Sequence, residues 1–229
     1  MTLIAIDAGH GYETPGKRSP DGMKEYEFNR AVAKVCKDQL EQASVRTLQT
    51  YSDNRDVPLS ERTAKANNGK VDYFISIHAN AFGNGQWNEV HGIETFIHTS
   101  KGQSVHPLAS KIHADLIAKT GRKDRGLKKA DFHVLRETHM PALLLECGFM
   151  TNREEKALLA STAYRTLCGK QIAASILSFL NKSQPSPAKD SSLYRVQAGV
   201  FSSRERAEQQ VKKLKKAGFE AAIGTIPSQ

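Results

Sequence analysis

Along the first 180 or so residues, short apolar runs alternate with stretches in which apolar side chains recur every three or four positions. This is the pattern of buried strands interleaved with amphipathic helices. Leu3-Ile4-Ala5-Ile6 reads as a buried strand, residues 25–40 as a helix with Phe28, Val32, Val35 and Leu40 near one face, and residues 45–50 as the next strand. Residues 59–68 predict a short helix, Tyr73-Phe74-Ile75-Ser76-Ile77 a second buried strand, and residues 93–98 another. A helix over 104–119 carries Val105, Leu108, Ile112 and Leu116 as its stripe; residues 142–145 form a further strand and residues 164–180 a closing helix. Strands alternating with helices in this way point to the α/β class, a twisted mixed sheet covered by helices on both faces.

After Leu180 the pattern breaks. Residues 182–192 hold two prolines, four serines and no large apolar side chain, which reads as a linker. Residues 193–201 then alternate like a strand, and Ser202-Ser203-Arg204-Glu205 has the spacing of a helix capping box. The helix that follows places Ala207, Val211 and Leu214 on one face, stops at Gly218, and is followed by a short predicted strand over 219–223. The expected organisation is a large domain over 1–181, a linker over 182–192 and a strand-helix-strand unit over 193–229. A unit of this size buries too little apolar surface to fold unaided, so the large domain or a second molecule must complete it.

Composition narrows the classes. Hydrophobic residues make up 39% and charged residues 25%, as in soluble globular chains and unlike disordered or membrane ones. The formal net charge of +9 favours polyanions, leaving nucleic acid, anionic cell wall and acidic lipid open. No run approaches the ~20 apolar residues that span a bilayer, so no membrane insertion is expected. The N-terminus enters a strand without a charged leader or apolar signal segment, which predicts synthesis in the cytoplasm. Cys36, Cys147 and Cys168 lack the close spacing of zinc knuckles or redox motifs and read as buried thiols.

The chemistry gathers at strand ends. Three strands run into Asp7-Ala8-Gly9-His10-Gly11, Ile77-His78-Ala79-Asn80 and Leu145-Glu146-Cys147-Gly148. In α/β sheets, loops from several strands converge outside their carboxyl edge. A catalytic zinc site needs three protein ligands and one open position. His10 and His78 are the nitrogen donors; Glu25, Glu27, Glu13 and Glu146 are all eligible as the oxygen donor. Placement does not separate Glu25 from Glu27, since both stand at a helix start where acids complement the helix dipole. A second carboxylate must carry a proton from water to the leaving amine, and Glu146 at the tip of a buried strand suits that role. His91, His98, His106, His113, His133 and His139 read as structural or surface groups, with His133 the nearest candidate for a site contact. Cys147, next to Glu146 on a strand, is expected to face the opposite side and the core.

At these residues the sequence resembles the zinc-dependent N-acetylmuramoyl-L-alanine amidases, the family of sporulation lytic amidases and phage endolysins. Four blocks in order carry the resemblance: Ile6-Asp-Ala-Gly-His-Gly11; Gly22-Met-Lys-Glu-Tyr-Glu-Phe-Asn29; Leu59-Ser-Glu-Arg-Thr-Ala-Lys-Ala-Asn67 with Phe74-Ile-Ser-Ile-His-Ala-Asn80; and Phe132-His-Val-Leu-Arg136 with Met140-Pro-Ala-Leu-Leu-Leu-Glu-Cys-Gly-Phe-Met-Thr-Asn152. The resemblance implies zinc ligands at His10, Glu25 and His78, and a catalytic glutamate at Glu146. It implies cleavage of the amide between N-acetylmuramic acid and L-alanine in peptidoglycan through a zinc-activated water. The tail resembles half of a SPOR repeat, a peptidoglycan-binding module, so two chains are expected to pair their half-units into a homodimer. A zinc peptidase acting within the stem peptide and a non-catalytic wall binder are the alternatives. No aromatic-rich strand motif of an RNA reader is present, so nucleic acid is not an expected partner. A chain without a leader would reach the wall after membrane permeabilisation or lysis.

Overall fold

The computed structural model describes residues 2–14, 18–185 and 197–225. The chain divides into two compact units, Met1–Ser186 and Pro187–Gln229.

In the first unit, β1 (Leu3–Ala8), β2 (Arg46–Gln49), β3 (Tyr73–Asn80), β4 (Ile93–His98), β5 (Asp124–Ala130) and β6 (Ala142–Phe149) form one sheet in the order β2-β1-β3-β6-β4-β5. The strands from β2 to β6 run parallel; β4 is antiparallel to β6, and β5 parallel to β4. The sheet is mixed, as expected. Its central strands are nearly continuous apolar runs because both faces are covered. Ile4, Ile6, Ile75, Ile77, Leu143 and Leu145 point into the larger core. That core is closed by α1 (Glu25–Gln42), α3 (His106–Thr120) and α6 (Thr162–Phe179), with α5 (Arg153–Ala160) at its margin. Ala5, Phe74, Ala142 and Leu144 point the other way, into a smaller core under α2 (Leu59–Asn68) and α4 (His133–Arg136).

Two predicted strands run on past their expected ends. Both β3 and β6 extend through their polar residues, since His78 pairs with Glu146 and Asn80 with Phe149 across the two strands. His78 and Glu146 therefore lie within the sheet, not in loops beyond it. The edge strand β5, Asp-Arg-Gly-Leu-Lys-Lys-Ala, was not predicted; an edge exposed to water needs no apolar alternation.

The second unit contains α7 (Arg204–Lys216), whose N-cap is Ser203, accepting from the Arg206 N–H at 3.4 Å, one residue later than the spacing suggested. The strands expected on either side do not form at 197–201 or 219–223, and residues 193–196 lie outside the described residues. A strand persists only when its backbone groups are paired, and no partner strand stands among the described residues of this unit. No residue of α7 is buried.

Candidate metal centre

The sharp turn after β1 delivers His10, which sits in the left-handed region at φ 61°. Its neighbour Gly9 is required by close approach: a Cβ there would lie 2.0 Å from Cε1 of His78. Backbone and imidazole can share this space only without a side chain. The rings of His10 and His78 meet edge to face with centroids 5.3 Å apart.

Glu25, the first residue of α1, is 3% exposed and lies between the two rings. Its Oε2 is 3.1 Å from His10 Nε2 and its Oε1 is 2.8 Å from His78 Nδ1. The Ala79 N–H donates to Oε1 at 3.2 Å, and Asn29, one turn along α1, donates to Oε1 and to the Gly9 carbonyl at 3.0 Å each. One ligand atom from each of His10, Glu25 and His78 lies within 4.8 Å of the others. Among the described residues this is the one such group of three. Glu27, two residues on, is exposed and accepts from the Lys24 N–H as part of the helix cap, and Glu13 is exposed.

Burial pushes the Glu25 carboxyl upward, but hydrogen bonds from His10 and His78 outweigh it and hold the carboxyl at about 2. The same bond raises His10 above its ordinary value. An ionised carboxylate and two imidazoles converging from three elements form the nitrogen–oxygen donor set that suits zinc.

A buried network behind the donors had no part in the expectations. Arg62 and Asp7 are 2% and 1% exposed and pair at 2.9 Å. Arg62 also donates to the carbonyls of Ala8, His10 and Val57, tying the His10 turn to α2. Asp7 accepts from Thr50 Oγ1 and Ser76 Oγ, each at 2.7 Å. Ser76 Oγ lies 3.0 Å from His78 Nε2. Because the serine hydroxyl gives its proton to Asp7, it must accept from Nε2–H, which turns Nδ1 toward Glu25 and His10. The sequence did carry a signal for this relay: Ser76 is a polar residue inside an apolar run, two positions from His78 and so on its face.

Glu146 stands on β6 with His78 as its register partner on one side and Glu94 on the other. Registered residues on neighbouring strands share a face, so Glu146 projects on the His78 side. Cys147 projects into the larger core and is fully buried, as expected. The adjoining Cys168 and then burial raise its thiol well above the ordinary value, leaving no thiolate for nucleophilic attack. His113 is bonded to Thr95 at 2.9 Å and Asp124 at 2.8 Å, and His98 to Asp131 at 3.1 Å, both away from the cluster. His133 begins α4, whose Val134 and Leu135 pack on the sheet face that also carries His78.

Residues 4–178 match the N-acetylmuramoyl-L-alanine amidase family, and residues 160–225 match the SPOR domain. The two matches overlap on α6, whose Cys168, Ile172 and Ile176 are committed to the larger core. The chain is 32% identical over 225 residues to the N-acetylmuramoyl-L-alanine amidase CwlM of Bacillus licheniformis, covering 97% of this chain and 85% of that protein. It is 32% identical to the sporulation-specific N-acetylmuramoyl-L-alanine amidase of Bacillus subtilis, covering 97% and 84%. The catalytic domain of the amidase CwlV from Bacillus (Paenibacillus) polymyxa superposes with a TM-score of 0.73 at 34% identity, covering 80% of this chain and all of that one. In sequence over most of its length and in the fold of its first unit, this chain belongs to the N-acetylmuramoyl-L-alanine amidase family.

Proposed function

We propose that the protein hydrolyses the amide between N-acetylmuramic acid and the L-alanine of the peptidoglycan stem, with zinc held by His10, Glu25 and His78. The observation that carries this reading is the convergence of those three donors around one buried carboxylate. Zinc at such a site supplies a Lewis acid toward a carbonyl oxygen and lowers the pKa of water. Glu25 remains ionised and neutralises one positive charge, while Ser76 and Asp7 hold His78 with Nδ1 forward. Glu146, half-buried and one strand from His78, accepts the proton of the attacking water and returns it to the departing L-alanine nitrogen.

Mass spectrometry of digested peptidoglycan tests the bond cleaved. Stem peptides with a new L-alanine amine support the amidase; cuts between amino acids support a peptidase, and no digestion with zinc present supports a binding protein. Glu146→Gln is expected to keep its zinc by elemental analysis and lose on the order of 10³-fold in kcat.

The tail supplies wall binding in this reading, with the division 1–181, 182–192 and 193–229. The SPOR match and the basic residues of α7 support it. Exposed Val200, Phe201, Phe219 and Ile223 leave apolar surface for a second half-unit, and hence for the homodimer. Sedimentation at micromolar concentration tests this pairing: a monomer argues against it.

A further inference from the structure

The row of charged residues does not end at Glu146. Glu94 on β4 is its cross-strand partner, so side chains of His78, Glu146 and Glu94 stand side by side on one face of three adjacent strands. Glu94 is buried, and its Oε1 accepts from Arg125 Nε at 2.5 Å and from Lys128 Nζ at 2.8 Å. Asn80 Nδ2 lies 3.5 Å from Oε2.

Arg125 and Lys128 are three positions apart on β5, and in a regular strand they would face opposite sides. Here the register slips: Ile93 pairs with Asp124 but Thr95 with Leu127, so β5 inserts one extra residue opposite Glu94. Gly126 absorbs it at φ 86°. Bulges of this kind re-aim side chains beside active sites, and this one brings both cations to a single carboxylate. One buried anion holds two cations, and the Arg125 and Lys128 side chains are 25% and 39% exposed. Both cations therefore reach solvent while the acid that anchors them does not. Arg125 is further held over the Phe149 ring, 4.9 Å from its centroid.

We propose that Arg125 and Lys128, positioned by Glu94, bind a carboxylate on the stem-peptide residue that follows L-alanine, and so select acidic stems. This inference rests on the amidase reading and extends it to substrate preference. Two strand spacings separate Glu146 from β5, about 10 Å, which two or three extended residues span. A guanidinium and an ammonium sharing one target are suited to a carboxylate and have no comparable hold on its neutral amide.

The test uses the full-length, zinc-loaded protein and two soluble muramoyl-dipeptides that differ only in whether the residue after L-alanine ends in a carboxylate or in the amide. The wild type is expected to favour the acid by about tenfold in kcat/KM, with the difference in KM. Arg125→Gln and Lys128→Gln should each move the acid-to-amide ratio toward one. Equal cleavage of the two by the wild type, or a ratio that neither substitution changes, overturns the proposal. If neither dipeptide is cleaved the amidase reading falls, and calorimetric titration then decides this inference separately. Tighter binding of the acid supports it; equal binding or none overturns it.

Discussion

His113 with Asp124 and His10 with Glu25 are both histidine–carboxylate contacts near 3 Å, yet burial is arranged in opposite ways. At His113 the imidazole is buried and its carboxylate is 61% exposed, so water screens the anion and the contact ties a helix to an edge strand. At Glu25 the carboxylate is buried and two imidazoles converge on it, one from the turn after β1 and one from β3. An anion out of water must be compensated by whatever faces it, and here two ring nitrogens donate to it, in places where a cation could instead be held between them and the acid. Residue type does not distinguish the two contacts; the exposure of the acid does.

The sharpest way to break this contrast is to neutralise each acid in turn. Glu25→Gln should abolish stoichiometric zinc binding and hydrolysis, a loss of 10³-fold or more by the order of magnitude of removing a metal centre's chemistry. Asp124→Asn should leave zinc content at one per chain and kcat/KM within about threefold. Equal losses in both would mean the buried acid has no special standing.

Next in size is the pair that supports the His10 turn. Arg62→Met leaves Asp7 buried without its cation, and loss of one partner of such a pair costs about 3–5 kcal/mol. Urea denaturation should find that loss, whereas Arg55→Met, whose pairing with Glu61 is exposed and screened by water, should leave the denaturation midpoint almost unchanged.

A smaller effect separates orientation from stability. Ser76→Ala removes the acceptor of His78 Nε2 and should weaken zinc affinity about tenfold in chelator competition, the lower end for loss of an outer-shell partner. Ser76→Thr keeps the hydroxyl and should restore most of it. Unchanged affinity in the alanine variant would deny the relay any part in holding His78.

The smallest effect is on pH dependence of the metal-free protein. His10 is raised above its ordinary 6.5, so its contribution is fully present below that value and lost as pH rises through the raised one. Glu25 is lowered from 4.5 to about 2, so its contribution is present above 4.5 and lost as pH falls toward 2. Metal-free protein should therefore be slightly more stable at about pH 5.5 than at about pH 8.5, and Glu25→Gln should remove that difference. Denaturation curves at the two pH values measure it.

Much of this was legible along the chain. The bounds of α2 and β4 follow from local apolar periodicity, and His10, His78 and Glu146 were marked by their position where apolar strands meet polar residues. Glu25 and Glu27 could not be separated that way, because both satisfy the same local rule at a helix start; burial against two rings distinguishes them. The polar edge strand β5 escaped notice for the converse reason, since its order comes from pairing with β4 and not from its own pattern. In the tail the local signals were sufficient for the serine-capped α7 but not for its neighbouring strands, which have no partner among the described residues.

Local chemistry alone determined which segments become helix or strand and which polar residues stand at the ends of apolar runs, because those properties depend on near neighbours. Tertiary structure alone decided that Asp7 meets Arg62 across 55 positions and Ser76 across 69, and that a bulge turns Arg125 and Lys128 onto one acid. Such contacts are set by how strands register and how deeply a charge is withdrawn from water, and neither quantity is written in any short stretch of chain.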